Sequence, residues 1–133
     1  MSTATGFYSP TERTRVRRLP ARASYDRARV HAILDAGRVA HVGFVRDGQP
    51  LVIPMAYVRD GEALLLHGST KAGVLVALAA GARVCATVTH LDGLVLARSA
   101  FHHSVNYRSV AVLGTARVIE EVTTKQRALE EFL

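Results

Sequence analysis

A chain of 133 residues that is 49% apolar has material for one domain with a modest core, and not for two. It holds no run of about eighteen uncharged apolar residues, which excludes a membrane-spanning helix. Met1–Ser9 lacks the charged start, apolar middle and small-residue cleavage site of a secretory signal, so the expected location is the cytoplasm.

The net charge of +6 belongs mostly to the start of the chain. Arg13, Arg15, Arg17, Arg18, Arg22, Arg27 and Arg29 are offset there only by Glu12 and Asp26. A basic arm over residues 1–22 is therefore expected ahead of a domain over 23–133. No aromatic side chains interleave with these arginines to stack on bases, so nucleic acid is not the favoured partner and a structural or subunit-contacting arm is.

From Ser24 to Ala36, Ala28, Val30, Ile33 and Leu34 recur at helical spacing, with Ser24 as N-cap and Gly37 as stop. Arg38–Arg46 alternates like a strand, Asp47-Gly48 turns it, and Gln49–Arg59 pairs back. Asp60-Gly61 makes a second hairpin into Glu62–His67, where three leucines in a row predict burial on both faces. A short helix over Lys71–Ala80 carries Val74, Leu75 and Leu78 on one side. Arg83–His90 and Leu94–Ala97 read as strands around an Asp92-Gly93 turn, Val105–Glu120 as strand broken at Gly114, and Thr123–Leu133 as a last helix. Successive hairpins of this kind close most economically into a barrel, which leaves no exposed edge. The predicted architecture is mainly β with flanking α: a six-stranded antiparallel barrel.

Two segments carry polar chemistry. Ser99–Val110 sets His102, His103, Ser104, Asn106, Tyr107, Arg108 and Ser109 in a strand-like stretch, a density that calls for a polar ligand or an interface. Gly68-Ser69-Thr70-Lys71-Ala72-Gly73 puts hydroxyls, a cation and free N–H groups at a helix start, where an anion is favoured, although an ordinary capped helix fits the same residues. The Walker spacing is absent. His67 is either a ligand contact or a core histidine. The only cysteine, Cys85, excludes an internal disulfide and a cysteine-built zinc cluster, and its apolar run Val84–Val88 reads as a buried thiol. His102 and His103, being adjacent, would point to opposite faces of a strand, and no other histidine pair has ligand spacing, so no dedicated metal site is expected. Haem ligation by one histidine stays open.

The order Ala23-Ser-Tyr-Asp-Arg27, Val39-Ala-His-Val-Gly-Phe44, Val52-Ile-Pro-Met55, Leu66-His-Gly-Ser69, Thr87–Arg98 and Ser99–Val110, with its closing His-His-Ser-Val-Asn-Tyr-Arg-Ser-Val, resembles the pyridoxamine 5'-phosphate oxidase-related flavoproteins. It is most similar to the branch with the nitroimidazole-resistance reductases. The resemblance implies an FMN-binding split β-barrel of Greek-key type, a homodimer with flavin at the subunit interface, and a flavin-dependent oxidoreductase with a small-molecule electron donor and acceptor. It places Ile53, Pro54 and Met55 against the ring, His67, Gly68, Ser69 and Lys71 toward the ribityl phosphate, and Ser104, Asn106, Tyr107 and Arg108 to complete the groove. His67 or His102 would serve as proton donor or substrate contact. The alternative is a non-catalytic flavin, deazaflavin or haem binding or sensing module on the same barrel.

Two departures bear on the reaction. The true oxidases carry a basic Arg-x-Val-Leu-Leu-Lys strand before the phosphate loop, where this chain has Leu51-Val-Ile-Pro-Met-Ala56, and they use a C-terminal tryptophan that this chain lacks. Vitamin B6 oxidation is not expected. Relatives continue past the helix beginning at Thr123, so a C-terminal truncation is expected, with weak FMN binding or stability only as a dimer.

Overall fold

The structure, a computed structural model, describes residues 4–69 and 73–132. Helix α1 (Arg27–Asp35) precedes strands β1 (Val39–Arg46), β2 (Gln49–Asp60) and β3 (Ala63–His67). Helix α2 (Gly73–Ala79), strands β4 (Arg83–Val95) and β5 (Ser104–Thr115), and helix α3 (Val122–Glu130) follow. The five strands form one antiparallel sheet in the order β3-β2-β1-β4-β5.

Local chemistry accounts for the first two hairpins. Asp47 and Gly48 both take positive φ, 50° and 78°, the twist that lets a two-residue turn join β1 to β2. Alternation then sorts the faces. Ala40, Val42 and Phe44 of β1, Met55 and Tyr57 of β2, Ala86 and Val88 of β4, and Val110 of β5 turn inward onto Leu34 of α1 and Val74 and Leu78 of α2. Leu64 and Leu66 join this core, while Leu65 faces the other way beneath the C-terminal segment, so β3 is covered on both sides as its leucine run predicts.

Three expectations need correction. Among the described residues the sheet has five strands and does not close. Residues 117–121 run beside β3 but leave a cleft of about 520 Å³ between them, lined by Asp60, Ala63 and Leu65 on one side and Arg117–Glu121 on the other. The charged Arg117, Glu120 and Glu121 face water there instead of joining a ladder. Second, Asp92-Gly93 is not a turn. β4 runs on through it, Asp92 being the extra residue of a bulge between Leu91↔Tyr107 and Gly93↔Asn106. Third, β5 is unbroken at Gly114, which pairs with Val84.

Helix α1 begins later than predicted. Asp26, not Ser24, is the N-cap, accepting from Arg29 N at 3.2 Å, and Ser24 Oγ instead accepts from Asp26 N. The arm leading into it is tied down. Phe7 bridges Asp26, Tyr8 N donates to Tyr25 O, and the Tyr8 hydroxyl donates to Glu62 at 2.7 Å while lying 3.0 Å from Nε2 of the buried His31. Arg27 pairs with the same carboxylate and stacks over the Tyr8 ring. The Tyr8 hydroxyl and the Arg27 guanidinium hold Glu62 below its ordinary range, while burial pushes the Tyr8 phenol up.

Candidate functional site

The hairpin register sorts the expected flavin contacts by face. Pro54 pairs with His41 of β1, which pairs with Thr87 of β4. Ala56 pairs with Val39 and with His67. Residues opposite one another across an antiparallel ladder share a face, so Pro54, Ala56, His67, His41 and Thr87 form a nearly flat patch on the side away from the core. Ile53 and Met55 have the other parity, and the Met55 side chain, 6% exposed, belongs to the core. Met55 thus supports the strand from beneath, Ile53 stays 37% exposed on that same side, and Pro54 is the one of the three whose side chain lies on the patch.

His67 ends β3 on this patch, where the Phe132 ring approaches it with centroids 5.4 Å apart. Gly68 follows in tight quarters: a β-carbon there would come 3.3 Å from Leu75 Cδ1 and 3.5 Å from Met55 Cε. Ser69 is exposed, and Lys71 lies outside the described residues. At the start of α2 a different cation is in place. A β-carbon on Gly73 would sit 2.6 Å from Arg46 Nη1, so the guanidinium lies directly over the helix start.

The late cluster stands apart from this patch. The β4–β5 ribbon continues beyond the end of β1, and Ser104, Asn106, Tyr107 and Arg108 pair there with Val95, Gly93, Leu91 and His90. From the Thr89↔Ser109 pair to its tip the ribbon spans roughly 20 Å of strand. His102 lies in the tip loop, edge-on to Phe101 at 5.6 Å between centroids, so within one chain His67 and His102 are not brought together. His103 Nδ1 accepts from Ala97 N at 2.9 Å and is occupied in shaping that loop.

Arg108 is paired. Its Nε donates to Asp92 Oδ2 at 2.9 Å and its Nη2 to Oδ1 at 3.0 Å, a two-pronged contact between exposed groups that holds the Asp92 carboxyl below its usual range. The bulge is what brings Asp92 to it. The ribbon also leaves large apolar side chains uncovered: Leu91, Leu94, Leu96, Phe101 at 91% exposure and Tyr107 at 60%.

Sequence reading missed His41 and Arg46. His41 was within reach, because counting back from the Asp47-Gly48 turn places it opposite Pro54. Arg46 carried no signal, since its proximity to Gly73 depends on how α2 packs under the far end of β1. Among the described residues no group of three His, Cys, Asp or Glu could hold a metal ion.

An open five-stranded antiparallel sheet with flanking helices and a projecting β4–β5 ribbon fits the split-barrel class. The chain belongs to the pyridoxamine 5'-phosphate oxidase family, whose sequence profile matches residues 26–133. Its fold is similar to that of the flavocytochrome Anf3 from Azotobacter vinelandii, at 42% identity and a TM-score of 0.86, over 93% of this chain and 57% of that one. It is also similar to the FAD and haem binding protein from Mycobacterium smegmatis, at 40% identity and a TM-score of 0.75, over 82% of this chain and 55% of that one. A candidate 5-nitroimidazole antibiotic resistance protein from Bacteroides thetaiotaomicron matches at 26% identity and a TM-score of 0.67, over 80% of this chain and 64% of that one. The chain thus spans little more than half the length of the first two. No curated protein matches it. No helix among the described residues is long and apolar enough to cross a membrane.

Proposed function

We propose that the chain is a cytoplasmic flavin-binding oxidoreductase that holds FMN between two copies of itself. The observation that carries this reading is the division of its polar site residues. His67 lies on the patch, with Gly68 and Ser69 next in the chain, whereas Ser104, Asn106 and Tyr107 lie on a ribbon that the same chain leaves uncovered. A second copy could supply its ribbon to the patch of the first, which would bury Phe101, Tyr107 and the ribbon leucines and bring both polar sets to one ligand.

The residues fit a flavin. Pro54, Ala56 and Thr87 put small side chains around His41, which the register sets between Pro54 and Thr87, and His67 borders them from β3, a surface against which a planar ring would lie; Arg46, of core-side parity, stands at the start of α2 on the other face. The flavin would supply the redox chemistry, passing electrons from a small-molecule donor to a small-molecule acceptor. The chain's own contribution would be to orient the ring and to present His67 as proton donor or substrate contact. Titration with FMN, read by quenching of flavin fluorescence, tests the reading. Saturable quenching that weakens in both His67→Ala and Tyr107→Ala is the expected result. Absence of quenching by FMN and by FAD would refute it.

The two more identical structures favour a second reading. One is a flavocytochrome and the other an FAD and haem binding protein. Under that reading this chain is a flavin or haem binding module without turnover, and a Soret band in the purified protein with no oxidation of reduced nicotinamide would establish it.

A further inference from the structure

We propose that the start of the N-terminal arm, residues 4–9, is a strap clasped by the Glu62 carboxylate, which acid opens while the sheet stays folded. The strap lies along the beginning of α1. Phe7 bridges Asp26, Tyr8 N donates to Tyr25 O at 2.8 Å, and Arg27 N donates to Gly6 O at 3.0 Å. Backbone contacts this few fasten a chain terminus weakly. Side chains supply the rest, and they converge on Glu62 in the turn between β2 and β3.

The distances fix where the protons sit. Tyr8 has one hydroxyl proton, and donates it to Glu62 Oε2 at 2.7 Å. His31 Nε2 lies 3.0 Å from the Tyr8 oxygen and 3.4 Å from Glu62 Oε1, so it must carry a hydrogen, because a bare nitrogen would set lone pair against lone pair. That hydrogen is present on one neutral tautomer and on the imidazolium alike, so a proton taken up at Nδ1 leaves the clasp in place. Arg27 Nη1 completes the set at 2.9 Å from Oε1, its guanidinium carbon 4.6 Å from the centre of the Tyr8 ring. Its Nε is buried without a hydrogen bond, and among the described residues Glu62 is its one ion-pair partner.

Three donors thus meet on one acceptor. The other charges nearby, Arg59 of β2 and Asp35 at the end of α1, are paired with each other. A proton on Glu62 takes away the charge that Arg27 and Tyr8 share, and puts an O–H donor where three donors already point. The Tyr8 hydroxyl and the Arg27 guanidinium hold this carboxyl below its ordinary range. The clasp is therefore complete above the ordinary glutamate pKa and lost as pH falls through the depressed folded value. Opening lifts the Tyr8 ring from His31, which is 5% exposed with the strap shut. None of the residues of the flavin patch takes part.

The test is hydrogen exchange of the full chain, read by mass spectrometry on peptides over residues 4–10 and 38–46 from about pH 7 to about pH 3 and corrected for the intrinsic rate. Hydrogen bonds to a charged group are worth at least about tenfold in an equilibrium, and the low end suits a half-exposed carboxylate. Protection over 4–10 is expected to fall about tenfold below about pH 4 while protection over 38–46 holds. Glu62→Gln, uncharged throughout, should exchange at the open level already at neutral pH and show no acid limb. Tyr8→Phe keeps the ring and loses the hydroxyl, so it too should open the strap at neutral pH, and it decides the matter if the glutamine variant misfolds. In both variants His31 should react with diethyl pyrocarbonate about tenfold faster. Unchanged protection over 4–10 down to about pH 3, an acid limb that persists in Glu62→Gln, or loss of both peptides together would each overturn the proposal.

Discussion

Gly37 offers a sharp test of how the core is assembled, because its role there is steric. A β-carbon at this position would lie 2.3 Å from the Tyr57 hydroxyl, 3.0 Å from Val88 Cγ1 and 3.2 Å from His90 Cε1. None of the three neighbours can yield freely. Tyr57 is 3% exposed and its hydroxyl donates to Leu34 O at 2.5 Å, Val88 is 1% exposed, and His90 Nε2 is held 2.9 Å from Ile33 O. Gly37→Ala should therefore force the Tyr57 ring outward. Overpacking of this kind costs about 1–3 kcal/mol and loss of the tyrosine hydrogen bond about 1 kcal/mol, for a total near 3 kcal/mol. In a chain of this size that lowers Tm by about 10 °C. Guanidinium unfolding should show the midpoint fall with the slope unchanged. Tyr57→Phe removes the oxygen that clashes, so in that background the alanine should cost only about 1 kcal/mol, a coupling of about 2 kcal/mol between neighbours in contact. If Gly37→Ala costs less than about 0.5 kcal/mol, or costs the same in both backgrounds, the close approach is not what selects glycine here.

Other outcomes follow from the same coordinates. Asp35 is held below its ordinary pKa by Arg59, whose Nε and Nη2 donate to its two oxygens at 2.7 and 2.9 Å. The unfolded chain takes up the Asp35 proton at higher pH than the folded one, so the stabilisation is complete above the ordinary aspartate pKa and lost as pH falls through the depressed folded value. Thermal melts across an acid series should show that limb shallower in Asp35→Asn than in the parent. Asp26→Ala removes the α1 cap and should cost about 1 kcal/mol in urea unfolding. Gly114→Ala should change stability by less than about 0.5 kcal/mol, since nothing lies within 4 Å of a β-carbon there and its φ is not positive. Phe101→Ser with Tyr107→Ser should leave the melting curve of the monomer unchanged and, if the proposed dimer forms, raise its dissociation constant in sedimentation at least about tenfold.

Much of this fold is legible along the chain, wherever the cause is local. Asp47-Gly48, with positive φ at both residues, marks the first hairpin, and Gly61, with positive φ, opens the Gly61-Glu62 turn of the second, one residue later than the Asp60-Gly61 pair suggests. Period-two alternation in Val39–Phe44 separates core from surface, and from the first turn the pairing of His41 with Pro54 follows by counting. The same reasoning fails at Asp92-Gly93, whose dipeptide has turn chemistry but whose neighbours on β5 hold the strand straight and absorb the extra residue as a bulge. Gly37 does follow the helix end, whose C-cap is Ala36, but its φ is not positive, and what requires glycine there is the passage of Tyr57, which composition does not show.

The sequence by itself determined the alternating faces, the tight turns and the polar segments at 67–69 and 102–108, because each depends on residues a few positions apart. Only the tertiary structure decided which of those residues meet. Arg46 over Gly73 and Asp92 on Arg108 are contacts between segments apart in the chain, set by how strands register and helices pack. The register that joins Pro54, His41 and His67 on one face also carries Ser104–Arg108 away on the ribbon. A strand's period dictates which side a residue takes, and only its neighbours dictate what it faces.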